Sequence, residues 1–263
     1  MDAPRKVGRH ELAIVFRADP RRHFSALRML EEAKAPVDMH VCGRSGFFRQ
    51  VDPDGGKGFV VLAAATPDEG EALAGLVGPR DASFFTVDAA AHWPDAANEP
   101  AGMLMRGHAT DWHNACRQMS LPDEVALPPP DLQVVSLSPD QADYIHAHYE
   151  MNHILPAAYL ADRIRNGPSV GIMRDGRLAG WAMTHDEGTM GVLEVLPEYR
   201  RIGLAEKLSF ALCRKVREAG SIPTVHILCG NRASLSLAAK TGFVRTADVT
   251  WFGWREVDSE KRE

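Results

Sequence analysis

No apolar run in this sequence approaches the ~20 residues of a membrane-spanning helix. The longest, such as Phe59 to Ala65, have strand length. The opening MDAPRKVGRHELAIVF has no long apolar segment and no small-residue cleavage site, so a secretory leader is not expected and the chain reads as cytoplasmic. Cysteine is scarce. Cys42, Cys116, Cys213 and Cys229 are the only four, widely spaced and without a C-x-x-C pair. That excludes a disulfide framework and a zinc ribbon and leaves reduced, mostly buried thiols. Basic excess is absent too: the net charge is −5, so nucleic acid is not an expected partner. His10-Glu11 opens like a zinc helix, but position 14 is Ile14, and His146, His148 and His153 do not share helical ligand spacing. No metal is expected.

What is present is an ordinary globular mix. Hydrophobic residues make up 45% and charged residues 25% of 263, enough for a core and against disorder or a coiled coil. That length suits one large domain or two modest ones. Pro128-Pro129-Pro130 cannot lie within a helix or central strand. It predicts a boundary, with one domain over 1–127 and another over 131–263. No tandem repeat is visible.

The first part alternates strand and helix signals. Glu11 to Arg17 reads as a strand and Arg22 to Lys34 as a helix. Met39 to Cys42, Gly58 to Ala65 and Ala82 to Val87 read as strands. A helix start stands at Thr66-Pro67-Asp68-Glu69, with Pro at N1 and acids in the first turn. This predicts an α/β layer domain without a chemical motif.

The second part is more legible. Ser138-Pro139-Asp140-Gln141 is a capping box for a helix to about Glu150, and a second helix spans about Ala157 to Arg165. Strands Val170 to Met173 and Leu178 to Thr184 flank an Asp175-Gly176 hairpin turn. Thr189 to Leu196 is the next strand. A helix follows with Leu204, Leu208, Leu212 and Val216 on one face, ending at Gly220. Thr224 to Cys229 reads as a strand, Asn231 to Lys240 as a helix stopped by Gly242, and Val244 to Arg255 as a long strand or a hairpin.

Chemistry concentrates at Arg200-Arg201-Ile202-Gly203-Leu204-Ala205. A strand-to-helix junction leaves the first helical N–H groups unpaired and, with the helix dipole, attracts an anion. Small residues at 203 and 205 admit a phosphate, and Arg200 and Arg201 add charge. A pyrophosphate suits this loop. The P-loop and dinucleotide fingerprints do not match its spacing.

The arrangement resembles the GCN5-related N-acetyltransferase (GNAT) superfamily. The resemblance rests on Val195-Leu196-Pro197-Glu198-Tyr199-Arg200, the loop through Ala205, and Asn231…Leu237…Lys240-Thr241-Gly242-Phe243. Gly180-Trp181-Ala182-Met183 and the close Trp251-Phe252-Gly253-Trp254 are similar to the glycine N-acyltransferase-like, or FR47-like, branch. The resemblance covers about 135–255. It implies two GNAT-like α/β halves, the first divergent, the second with a central mixed sheet flanked by helices. It also implies that acyl-CoA, acetyl-CoA first, is held by Leu193, Val195, Leu196, Arg200, Arg201, Ile202, Gly203, Leu204, Ala205, Asn231 and Ser234. The acceptor would be a primary amine of a small molecule such as an amino acid, on a monomer or homodimer.

Two positions depart from the family pattern. Thr189 stands where a catalytic Glu is common, and Ala238 where many members carry a Tyr acid. Glu194 is the candidate base. It reads equally as a strand glutamate facing solvent or paired with an arginine. Glu187 reads as a turn residue. Asn231 would bond the pantetheine arm, cap its helix, or both. These departures keep open a non-catalytic acyl-CoA-binding or regulatory module; acylation of a protein or peptide is a third reading.

Overall fold

The computed structural model describes residues 3–33, 37–50, 59–77, 84–90 and 110–254. The chain groups into two compact units that are not successive halves. One is Met1–Gln118 with Ile227–Gly230 and Arg245–Glu263, the other Met119–His226 with Asn231–Val244. The expected division was 1–127 and 131–263. The difference comes from strand pairing. The last strand, β12 (Val244–Trp254), pairs antiparallel with β5 (Phe84–Ala90) from Ala247↔Ala90 to Gly253↔Phe84. A ladder between distant segments leaves no local mark like that of a proline run.

The first unit holds β1 (Arg5–Lys6), β2 (Val37–Cys42), β3 (Ser45–Gln50), β4 (Phe59–Ala64), β5, β12 and most of β6 (Thr110–Ser120). Its sheet runs β1-β2-β3-β4-β5-β12-β6. Helices α1 (Arg9–Arg17) and α2 (Phe24–Glu32) bury Leu12, Phe16 and Leu30 against Val41, Phe48 and Val61. On the other set of alternating positions, Leu73 of α3 (Pro67–Ala74) packs with Phe47, Val60 and Leu62. Period-2 alternation thus feeds two cores from one sheet.

Segment 11–17, expected as a strand, is helical. Leu12, Ala13 and Phe16 are buried while Ile14 is 55% exposed. A strand would have buried 12, 14 and 16 together. The helix start at Thr66 is as read, its hydroxyl accepting from Glu69 N–H at 3.3 Å. β3 and β6 have no counterpart in the sequence reading. β3 hides behind a tight turn at Gly43, whose φ of 56° is left-handed, and behind Gly46, which leaves space for Leu12 and Phe16.

The second unit orders β7 (Val134–Val135), β8 (Ser169–Arg174), β9 (Arg177–Thr184), β10 (Met190–Val195) and the first part of β11 (Thr224–Leu228) side by side. The first three pairings are antiparallel and β10–β11 is parallel, a mixed sheet. The capping box forms, Gln141 accepting from Ser138 N–H at 2.9 Å. It leads through a 3₁₀ turn into α4 (Ala142–His148). α4 and α5 (Ala157–Asn166) pack Ile145, Leu160 and Ile164 on Trp181, Met183 and Val192. The other face receives α6 (Leu204–Glu218), with Leu204, Leu208, Leu212 and Val216 buried as read. α7 (Arg232–Lys240) completes the unit.

The proline segment lies on this unit. Arg214 donates to the Pro128 carbonyl, Lys207 pairs with Asp131 at 2.6 Å, and Arg217 donates to the carbonyls of Val125 (2.9 Å) and Pro122 (2.7 Å). A cavity of about 540 Å³ lies between these prolines and α6.

Candidate functional site

The site begins with a broken strand. β10 shifts register against β9 between Gly191 and Glu194. Val192 sits there at φ 47°. A β-branched residue at positive φ is an outlier that the surroundings must enforce. Among the described residues, β10 and β11 pair in register only at Met190↔Val225. The backbone from Leu193 onward therefore has an edge not taken up by a parallel ladder. Glu194 and Val195 remain paired to β9, opposite Trp181 and Gly180.

Beyond the strand, a short 3₁₀ turn (Pro197–Tyr199) leads to Arg200. Arg201 at φ 65° and Gly203 at φ 84° wrap the chain left-handed into α6. Nothing lies within 4 Å of where a Gly203 Cβ would be. The first intrahelical bond here runs from Lys207 N–H to the Gly203 carbonyl, 3.2 Å. The N–H groups of Leu204, Ala205 and Glu206 precede it and lack an intrahelical acceptor. Ile202 is exposed, Leu204 buried. The loop thus presents backbone donors beside open space, which fits an anion.

Arg200 is engaged. Its Nε donates to the Val195 carbonyl at 2.8 Å, and its Nη2 donates to Glu150 at 2.8 Å and to Glu194 at 2.7 Å. These carboxylates, Glu150 first, raise the guanidinium's pKa further. Glu194 is thus paired with an arginine and largely buried. Asn231 and Ser234 form a separate pair at the start of α7, where Asn231 Oδ1 accepts from Ser234 N–H at 3.0 Å. Asn231 is thus the cap. Trp181 and Met183 are fully buried in the α4–α5 core, and the Trp181 indole N–H has no partner among the described residues.

Sequence reasoning missed a polar cluster where β9 turns into β10. Tyr159 of α5 donates its hydroxyl to Asp186 Oδ1 at 3.1 Å, and its oxygen lies 3.1 Å from His185 Nδ1. The His185 backbone closes the turn, donating to the Thr189 carbonyl at 2.8 Å, and Arg163 donates to the His185 carbonyl at 3.3 Å. The Thr189 hydroxyl donates to the Glu187 carboxylate. Burial pushes Glu187 up to about 8, with the neighbouring Asp186 charge adding to it. Burial lowers the pKa of His185, Asp186 opposing and Arg163 assisting. On β11, burial lowers His226 to about 3. The available signal was the run His185-Asp186-Glu187 just before a buried strand. Among the described residues no cluster could hold a metal ion.

Residues 169–252 match the model of the family described as FR47-like protein. No curated protein matches the chain. Among solved structures, a Drosophila protein is similar at 19% identity and a TM-score of 0.70, covering 97% of this chain and 99% of its own. A GCN5-related N-acetyltransferase from Kribbella flavida aligns at 15% identity and 0.53, covering 90% and 95%. A tandem GNAT protein from the clavulanic acid biosynthesis pathway aligns at 14% and 0.51, covering 97% and 98%. This is the GNAT fold, with an FR47-like segment at 169–252.

Proposed function

We infer that the protein is an acyl-CoA-dependent N-acyltransferase, acetyl-CoA being the first donor to test. It moves the acyl group directly to a primary amine of a small molecule such as an amino acid. The observation that carries this reading is the strained, partly unpaired β10 running into a left-handed loop of free backbone donors. The 200–205 loop and Arg201 would hold the pyrophosphate. Arg200 would share its guanidinium between that group and its two carboxylates, and Asn231 keeps an amide N–H for the pantetheine arm while its oxygen caps α7. Backbone donors from Leu193 to Val195 would polarise the acyl carbonyl, the charge stabilisation that lowers such barriers most. Bound acyl-CoA supplies a thioester carbon open to an amine, so the chain needs no nucleophile of its own.

The test is calorimetry with CoA and acetyl-CoA, followed by an amine panel read by thiol release. Saturable binding with turnover on at least one amine is the expected result. A second reading, a non-catalytic acyl-CoA-binding module, has one specific support: Ala238 is buried and cannot donate a proton to the leaving thiolate. Binding without turnover across the panel would favour it.

No helix among the described residues is long and apolar enough to cross a membrane.

A further inference from the structure

The cluster at the start of β10 has a direction. Tyr159 gives its only proton to Asp186, so its oxygen can only accept from His185. His185 must then carry its proton on Nδ1, which leaves Nε2 as a bare acceptor. That nitrogen is aimed at the strand: a Cβ on Gly191 would collide with His185 Nε2. Among the described residues, nothing hydrogen-bonds Nε2. The chain order Tyr159, His185, Asp186 thus forms an acceptor fixed by a hydroxyl, itself fixed by a carboxylate. The acceptor stands over a glycine two residues before Leu193.

The geometry points to His185 Nε2 as the group that takes the proton from the incoming amine, with Tyr159 and Asp186 as positioning residues. This rests on the acyltransferase reading above. In the step, the amine nitrogen forms a bond to the thioester carbon and passes one N–H proton to Nε2. The C–S bond breaks with its electron pair on sulfur. The CoA thiolate then takes a proton from water, and imidazolium returns its proton to solvent. Gly191 is the residue that makes room for the ring, so a side chain there would displace the acceptor.

The groups facing His185 are Asp186, Glu187 and Thr189 in its own turn, Tyr159 and Arg163 from α5, and His226 from β11. Burial keeps the ring neutral at and below the ordinary histidine range. A His185 base therefore works across neutral pH, its acid limb falling below 6.5. A Glu187 base, with its pKa near 8, would instead make the rate climb through pH 8.

Two measurements test the assignment. Long-range ¹H–¹⁵N correlation spectra of the labelled protein, with His185 assigned through the His185→Gln variant, should show the Nδ1–H tautomer at pH 7. Its protonation midpoint should lie below 6.5. An Nε2–H tautomer or a higher midpoint overturns the proposal. In steady-state assays His185→Gln should lose about 100-fold or more in kcat, the usual reach of a general base, with CoA affinity by calorimetry unchanged. Tyr159→Phe should lose less and shift the acid limb, which a merely structural role would not do. Glu187→Gln should retain most activity. A His185→Gln protein with near-normal turnover, or a Glu187→Gln protein carrying the loss, sinks the proposal alone. A parent protein that binds no acyl-CoA removes the acyltransferase reading and the proposal together.

Discussion

The two units solve the same packing problem and differ in where they keep strain. In the first, buried polar groups serve the fold. Ser45 donates to Glu69 at 2.6 Å and accepts from Ala65 N–H at 2.7 Å, tying a strand to the start of α3. Gln118 donates to the carbonyls of Arg21 and Arg22 at 2.7 and 2.8 Å. Among the described residues that unit has no non-glycine residue at positive φ. The second unit has Asp175, Val192 and Arg201. Asp175 belongs to an ordinary hairpin turn, but Val192 and Arg201 lie on the bulged strand and the loop that leads into α6. Strain costing on the order of 1–3 kcal/mol per residue persists only where packing enforces it. A shared layered architecture therefore does not distribute chemistry evenly.

The comparison can be broken by separating stability from ligand binding. Phe48→Ala, at a fully buried position of the first unit, should cost about 3–5 kcal/mol in denaturant melts. CoA affinity measured where the protein remains folded should not change; a matching loss of affinity would show that the first unit shapes the site. Arg200→Glu should do the reverse. It sets three carboxylates together beside the loop and should weaken CoA by about 100-fold, as charge-assisted anion contacts are lost. Unchanged affinity in calorimetry would remove the loop assignment.

Acid should act next. Burial holds His23 at about 4, aided by Arg22 and opposed by Asp19. The folded state then binds fewer protons than the unfolded state between pH 6.5 and 4. Its contribution is present above 6.5 and fades as pH falls, by up to about 1.4 kcal/mol per pH unit. His23→Leu should flatten that part of the stability–pH curve, and an unaltered slope would contradict the assignment. The smallest expected effect is at Asn231. Replacing this cap with Ala should cost about 1 kcal/mol. If Asn231 also meets pantetheine, CoA affinity should drop with it; a stability loss alone would confine it to capping.

Much of the second unit was legible because its signals are local. The capping serine at 138, the Asp175-Gly176 turn, the stripe Leu204-Leu208-Leu212-Val216 and the stop at Gly242 each act within a few residues. The 200–205 loop between β10 and α6 was visible for the same reason. What escaped was set by distance. Arg200 bridges Glu194 to Glu150, itself fifty residues before the arginine. The acceptor built around His185 needs Tyr159, twenty-six residues earlier. Segment 11–17 was misread because its β-branched centre, Ile14-Val15, suggests a strand, and only burial of Leu12, Ala13 and Phe16 reveals the helix. The pairing of β12 with β5 is likewise a long-range choice.

The three prolines were first a place where chain could not be regular. A proline offers a carbonyl but no N–H, so such a segment can be gripped only by donors. Arg214 grips it, and Arg217 and Lys207 hold its flanks, all three from α6. The helix that follows the 200–205 loop is thus guyed along its outer side like a mast. It cannot slide along its own axis without releasing these cations. The backbone N–H groups of Leu204, Ala205 and Glu206 are held in place by these anchors, and the stiffest stretch of sequence becomes a tether instead of a hinge.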